Sequence, residues 1–281
     1  MPSLCFAQES WQLNSSVTAL TGHYADSLVM SEQHGLGVRL SGMKDGIWGL
    51  TVGGQSTRIE MTPSMPVSSQ NQDNWLLSGY VHTLSVLMPG RLTFQLDAHK
   101  VRNDAPNSPS SDVNSIAPQV AWLSYTQPLK VDFSYARSNY KNTPSSIHQL
   151  SSAIAYGFNN ATDWIHVRNY VINADALGQS TTRARDIKLT HFLSSQNKWS
   201  PAAITVGLER GKRIYVVDMS TQTVYNLPML NEGGENISVN WKLSSKTDFN
   251  LQFSKSRYSS ESAPVHQFTL GTLSAQISTT W

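Results

Sequence analysis

Apolar and polar residues alternate along most of this chain of 281 residues. In the segment RLTFQLDAH, for example, Leu92, Phe94 and Leu96 alternate with threonine, glutamine and aspartate. The segments KVDFSY, NISVNWKLS and DFNLQFS repeat the pattern. A period of two is that of a β-strand with one apolar and one polar face. About fourteen such segments, none preceded by a preferred helix start signal, predict an all-β chain.

The connections between these segments differ in length from one end of the predicted strands to the other. Short turns recur, such as KDG at 44–46 and SSKTD at 244–248, and between them lie connections that are often longer, such as DMSTQTVYNLPMLNEGGE. Short turns at one end and longer loops at the other are typical of a transmembrane antiparallel β-barrel, whose short turns face the periplasm. We therefore predict an up-and-down transmembrane barrel of about 14 strands over 11–281, with both termini on the short-turn side.

Composition agrees with a barrel and excludes several other classes. The mean hydropathy is −0.31, and no segment approaches the roughly 18 apolar residues of a transmembrane helix. A net charge of +2 gives no sign of a nucleic-acid partner. The lone Cys5 excludes an internal disulfide and a cysteine-rich metal site. The first segment, MPSLCFAQES (1–10), is interpreted as an N-terminal segment that could be the remnant of a signal peptide.

Aromatic residues gather near the predicted strand ends. Tryptophan settles at the membrane–water interface, where its apolar ring and its polar N–H are both accommodated. We predict a membrane-interface girdle at the short-turn end, formed by Trp11, Trp48, Trp164, Trp199, Trp241 and Trp281. At the opposite boundary we expect Tyr24, Tyr140, Tyr215 and Tyr258.

The polar face of each strand predicts the lining of the lumen. The predicted pore-lining residues are Arg39, Gln95, Asp97, His99, Asp132, His166, Arg168, Asp186, Lys188, Glu209 and Lys242. Such a wall of both signs suits a hydrated passage with weak selectivity, and the alternative is an occluded lumen crosslinked by ion pairs. The runs WLLSGYVHTLSVLM and PQVAWLSY are apolar at both parities, which could indicate contact with a plug or a partner.

Positive charges stand at the long-loop ends of the strands, in phase with the apolar, lipid-facing positions. Guanidinium and ammonium groups bind phosphates, which lipopolysaccharide presents at the outer leaflet. We predict a lipopolysaccharide-binding belt formed by Arg58, Lys100, Arg102, Arg137, Arg183, Arg185, Arg210, Lys212, Lys255 and Arg257. The alternative is that these long side chains only extend into water.

Candidate catalytic groups are few. His148 with Ser151 and Ser152 superficially resembles the site of a barrel phospholipase, but His148 shares parity with Leu150 and should face lipid rather than Ser151. No metal-ligand spacing appears. We therefore expect no enzyme, no metal and no cofactor.

The final run, FTLGTLSAQISTTW, alternates as far as Trp281. It resembles the C-terminal signal by which bacterial outer-membrane β-barrel proteins are recognised for insertion. The resemblance implies a place in the bacterial outer membrane and contact with the barrel-assembly machinery during insertion. The closing hairpin is also similar to the last hairpin of barrels that serve polysaccharide or surface-lipoprotein export.

The predicted function is accordingly an outer-membrane channel, porin-like or an export conduit, with a polar lumen of mixed charge. One alternative is a barrel scaffold whose lumen houses, or is plugged by, a partner protein in an envelope-spanning complex. Two further alternatives are a barrel enzyme and a soluble β-protein such as a carbohydrate-binding sandwich, since a fold alone does not choose a function.

Overall fold

The computed structural model describes residues 11–86, 88–104, 112–141, 146–174, 181–194, 197, 199–214, 216–219, 221–224, 229–260 and 267–281. The predicted N-terminal segment 1–10 and Tyr215 lie outside the described residues. Within the described ranges, no helix is long and apolar enough to cross a membrane.

Strands with alternating sequence form a single closed antiparallel barrel, in which sequence neighbours pair and β1 closes on β16. The wall strands are β1 (Trp11–Ala25), β2 (Met30–Lys44), β3 (Trp48–Met61), β4 (Ser69–Leu84), β5 (Gly90–Asn103), β6 (Asp112–Ser124), β7 (Leu129–Tyr140), β8 (Ser146–Phe158), β9 (Asp163–Asn173), β10 (Thr182–Phe192), β11 (Pro201–Arg213), β14 (Met229–Lys242), β15 (Thr247–Ser260) and β16 (Gln267–Thr280). Two short strands, β12 (Val217–Asp218) and β13 (Thr223–Val224), form a separate sheet. The predicted fold class is confirmed, with fourteen strands in the wall.

The C-terminal tryptophan takes part in closing the barrel. β1 and β16 pair from Asn14 and Thr280 at one end to Ala25 and Thr269 at the other. Beyond the last pair, the backbone N–H of Trp281 donates to the Leu13 carbonyl at 2.9 Å, and its indole N–H donates to the Ser15 hydroxyl at 3.1 Å. The chain thus ends on a residue that fastens its last strand to its first.

Trp11, where β1 begins, and Trp281 lie at the end of the barrel that carries most of the tight turns, here named the turn end. At Lys44–Ile47 the N–H of Ile47 donates to the Lys44 carbonyl at 2.9 Å, and Asp45 and Gly46 have φ values of 52° and 68°. Positive φ at both central residues defines a type I′ turn, whose twist matches the flanking strands. The opposite end, named the loop end, carries the longest connection, 214–228.

Exposure alternates along the strands and separates an outer face from an inner one. On β8, Leu150 is 60% exposed and Ile154 49%, whereas Gln149 and Ser151, on either side of Leu150, are buried. Phe133 is 59% exposed and Leu77 56%. Large apolar side chains exposed over the whole circumference make the outer surface suitable for lipid rather than for water.

Two apolar clusters lie inside the barrel at its loop end. The first cluster includes Val101, Val113, Ala117, Ala136, Tyr140, Ile147, Tyr170, Ile172 and Ala184 on β5–β10. The second cluster lies on β1–β3, β15 and β16 and consists of Tyr24, Met30, Ile59, Tyr258, Phe268 and Leu270. Tyr24, Tyr140 and Tyr258 stand at the boundary where the sequence predicts them, but they are 3%, 4% and 7% exposed. They therefore face the interior and form no outward aromatic ring, because each shares the parity of the lumen face of its strand.

Candidate functional site

Strands β12 and β13 fold back from the loop end into the lumen. They pair through Val217 with Val224 and Asp218 with Thr223. The described residues 216–219 and 221–224 are here named the inward hairpin. Its buried apolar side chains belong to the first apolar cluster: Val216, Val217, Met219 and Val224. The apolar inner faces of β5–β10 seat these side chains away from water, which stabilises the inserted position.

Hydrogen bonds hold the inward hairpin to two facing parts of the wall. On β8, the Gln149 side-chain amide donates to the Val217 carbonyl at 2.7 Å and accepts from the Val217 N–H at 3.1 Å. Across the lumen, the Gln222 amide donates to the Ser78 hydroxyl at 2.9 Å and approaches the Asp97 carboxylate at 3.5 Å. The hairpin therefore bridges the lumen from β8 to β4 and β5.

A further bond ties the tip of the hairpin to β2. The guanidinium Nη2 of Arg39 donates to the Thr221 carbonyl at 3.0 Å. Arg39 lines a small cavity of about 60 Å³ beside the hairpin tip, named the tip cavity. Uncharged polar side chains make up most of the remaining lining, among them Gln55, Asn74, Gln222 and Gln276.

The predicted pore-lining charges on β7–β11 face inward, and most of them stand in one row across the strands. Register places Asp132 opposite Ala153, Ala153 opposite Arg168, and Arg168 opposite Asp186. The small Ala153 lets Arg168 reach across β8 to Asp132, at 2.9 Å between Nη2 and Oδ1. The side chains of Arg168 and Asp132 are 3% and 2% exposed, so the pair is out of reach of solvent.

Two more ion pairs extend this row. Lys188 Nζ lies 3.1 Å from an oxygen of Asp186, and Arg213 donates to Glu209 on the same strand. Asp132, Arg168, Asp186, Lys188 and Glu209 were predicted to line a passage. Paired in this way, they match the alternative of a lumen crosslinked by ion pairs on this part of the wall.

The other predicted pore-lining residues also differ in accessibility. Asp97 and His99 face inward but are buried, and Gln95 donates to Asp97 at 2.9 Å. His166 faces inward on β9 and is half-buried. Lys242 is exposed at the turn end, opposite Asp248 in the register of β14 and β15.

Polar space remains in the half of the lumen near the turn end. A cavity of about 430 Å³, named the turn-side cavity, lies against the inner faces of β4–β7. Its lining includes two cations that the sequence reasoning missed, Arg91 and Lys130. Parity could have found both, since Arg91 is in phase with Thr93 and Lys130 with Asp132. The same lining shows which face of the two runs that are apolar at both parities points inward. The inward residues are Tyr80, His82, Gln119, Ala121 and Leu123.

The six tryptophans predicted to form the girdle lie near the turn end. Trp11 and Trp48 meet edge to face with ring centroids 5.2 Å apart, and Trp241 lies 5.6 Å from Phe249. Trp199 and Trp281 are 76% and 70% exposed. Trp164 departs from the prediction: it shares the inward face with His166 and Arg168 and covers Gly157, where an added Cβ would lie 2.9 Å from its ring. A lipid-facing position needs the opposite parity.

Every cation of the predicted belt is exposed on the outer face, in the half of its strand near the loop end. This holds for Arg58, Lys100, Arg102, Arg137, Arg183, Arg185, Arg210, Lys212, Lys255 and Arg257. Arg185 on β10 is the register partner of Arg210 on β11. Arg210 is opposite Gly233 on β14, and Gly233 is opposite Arg257 on β15. Three guanidinium groups therefore lie along one row.

The candidate catalytic residues of β8 do not come together. His148 faces outward and meets the Tyr135 hydroxyl at 2.5 Å, while Ser151 is buried on the inner face against Ser134. The wall of the barrel separates the imidazole from the serine hydroxyl, as the parity of β8 predicts.

A closed antiparallel barrel with an apolar exterior defines an outer-membrane β-barrel protein, whose place is the bacterial outer membrane. No family model matches the sequence, and no curated protein matches it. Solved structures match its fold. The Pseudomonas putida toluene transporter TodX is 8% identical with a TM-score of 0.57, over 98% of this chain and 90% of that one. The Acinetobacter baumannii outer membrane protein Omp33 is 6% identical with a TM-score of 0.51, over 96% of this chain and 99% of that one.

Proposed function

We propose that this protein is an outer-membrane channel for small polar solutes, gated by the inward hairpin. One observation carries the proposal: the hairpin bridges the lumen, held by Gln149 on one side and by Arg39 and Ser78 on the other. Together with the two apolar clusters it occupies the loop half of the lumen, and polar cavities lie towards the turn end. An apolar constriction beside polar cavities is a recognised way to gate a pore.

The lining supports polar solutes over apolar ones. Tyr80, His82, Arg91, Gln95 and Lys130 present hydroxyl, imidazole, amide and cationic groups to the turn-side cavity. An apolar solute would leave these groups without partners, which is costly in a confined site. The toluene of the toluene transporter TodX is therefore a poor guide to the solute here, where the likeness is one of fold.

The hairpin also bears on the alternative functions. A partner protein housed in the lumen would need the space near β8 that the hairpin fills, and an export conduit would require the hairpin to leave. A gated channel is consistent with the hairpin in its inserted position, which would be the closed state. The short hydrogen-bonded contacts at Gln149 and Gln222 are few enough to break, since each contributes about 1 kcal/mol net.

Conductance in planar bilayers tests this function. We expect the wild-type protein to show transient openings, and the double variant Gln149→Ala with Gln222→Ala to stay open for a larger fraction of the time. Gln252→Ala is the matched control. Gln252 lies on β15 and faces the lumen, but its register partners belong to the wall rather than to the hairpin. A wild type and a double variant that both fail to conduct would overturn the channel, and equal open fractions would overturn the gate.

We further propose that the outward cations near the loop end bind phosphate groups of lipopolysaccharide. The row of Arg185, Arg210 and Arg257 supports this, because the register of β10, β11, β14 and β15 places the three arginines in line across the outer face. Guanidinium groups bind phosphate through paired, charge-assisted hydrogen bonds.

A further inference from the structure

The turn-side cavity carries charge of one sign. Its charged side chains are Arg91 and Lys130, and no carboxylate belongs to its lining among the described residues. Arg91 lies at the start of β5, and Lys130 lies at the start of β7, two strands away. Two cations facing one polar space create a positive potential there, which the low-dielectric wall of the barrel strengthens.

The nearest inward carboxylates are screened from this cavity. The Gln95 amide donates to Asp97 at 2.9 Å, and the Gln119 amide donates to Asp132 at 3.0 Å. Both glutamines line the cavity, whereas Asp97 and Asp132 are 0% and 2% exposed. The carboxylates are thus covered by amides, and Asp132 is also neutralised by Arg168.

Further groups in the lining complete a binding site. The Nε atom of Arg91 is buried and has no hydrogen-bond partner among the described residues. His82 is oriented by Thr93, with 2.8 Å between Nδ1 and the hydroxyl oxygen. Ala121 and Leu123 add an apolar surface on one side. A donor without a partner, a second cation and an apolar surface fit a small organic anion with an apolar body.

We infer that the turn-side cavity binds small organic carboxylates, with the carboxylate on Arg91 and Lys130 and the apolar body against Ala121 and Leu123. The inference rests on the proposed channel and names the class of its solute. Arg39 in the tip cavity would supply a further cation along the same lumen, beside the hairpin that closes it. A solute anion then meets a cationic side chain in both cavities. A solute cation cannot reach the carboxylates, because amide side chains cover them.

Equilibrium dialysis of the purified, detergent-solubilised full chain with radiolabelled benzoate tests the site without requiring conduction. We expect saturable binding of benzoate and none of benzylamine, which has a similar shape and the opposite charge. Arg91→Gln and Lys130→Gln should each weaken benzoate binding by roughly tenfold, the usual effect of losing one charge-assisted hydrogen bond. Lys242→Gln is the matched control, because Lys242 also faces the lumen at the turn end but lies outside this cavity.

The outcomes separate the site from the channel. Absence of benzoate binding, or equal binding by Arg91→Gln and the wild type, would overturn the site even if the protein conducts. Benzoate binding in a protein that never conducts would support the site and overturn the channel. If it conducts, a reversal potential in a potassium chloride gradient should show anion preference that Arg91→Gln reduces, and cation preference would count against the inference.

Discussion

At the scale of single residues, the buried pair of Arg168 and Asp132 depends most closely on its surroundings. Each ion loses its hydration, and the pair is tolerated because the two groups meet at 2.9 Å and Gln119 adds a hydrogen bond to the carboxylate. Removing one partner of such a pair leaves an uncompensated buried charge, which costs more than the pair itself contributes.

We therefore expect Arg168→Gln to lower the free energy of unfolding by about 3–5 kcal/mol. The double variant Arg168→Gln with Asp132→Asn should recover part of that loss, because it leaves no charge unpaired. Urea unfolding of the detergent-solubilised protein, followed by tryptophan fluorescence, measures both. Arg185→Gln, an exposed arginine on the neighbouring strand, should change stability by less than about 1 kcal/mol. A double variant as unstable as the single one would contradict the pairing.

Parity predicted that Arg168 and Asp132 both face the lumen, but it could not predict that they meet. Their contact depends on the register of three strands and on the small size of Ala153 between them. Alternation within one strand carries no information on register, which is set between strands. Trp164 shows the reverse: its parity already indicated the inner face, and its position near a strand end obscured that.

At the scale of elements, the inward hairpin is the feature that alternation could not place. The strands of the wall are long and strongly periodic, whereas β12 and β13 have two residues each. The connection 214–228 nevertheless contains Ile214, Val216, Val217 and Met219, which are buried. A concentration of apolar residues in a long connection is a signal that it packs inside, since exposed loops have little reason to carry them.

The outward row of Arg185, Arg210 and Arg257 is the element on which lipopolysaccharide binding can be tested. Replacing all three with glutamine should reduce the lipopolysaccharide that co-purifies with the folded barrel by several-fold, because the phosphates lose their guanidinium partners. Phosphate and lipid A analysis of the purified protein measures the change. The matched control replaces Lys44, Lys242 and Lys246 at the turn end, which removes the same charge. Wild-type levels in the arginine variant would argue against the belt.

At the scale of the whole molecule, the structure joins a uniform wall to an interior of two unlike halves. Strand alternation, turn chemistry and the closing Trp281 were sufficient to predict the barrel, because each is a local property of the sequence. The interior required contacts between residues far apart in the chain, such as Gln149 with Val217, which are 68 positions apart. The sequence therefore predicted the barrel wall better than the arrangement of its interior.

The central claim is that the inward hairpin must move for the channel to conduct. In a Cys5→Ser background, Ser78→Cys and Gln222→Cys place thiols at a contact where the native side chains are 2.9 Å apart. A short bis-methanethiosulfonate reagent, cleavable by reduction, should join them, and Gln222→Cys alone is the control for labelling. Single-channel recording should show openings lost after crosslinking and restored by a reductant. Openings that persist unchanged in the crosslinked protein would contradict the claim.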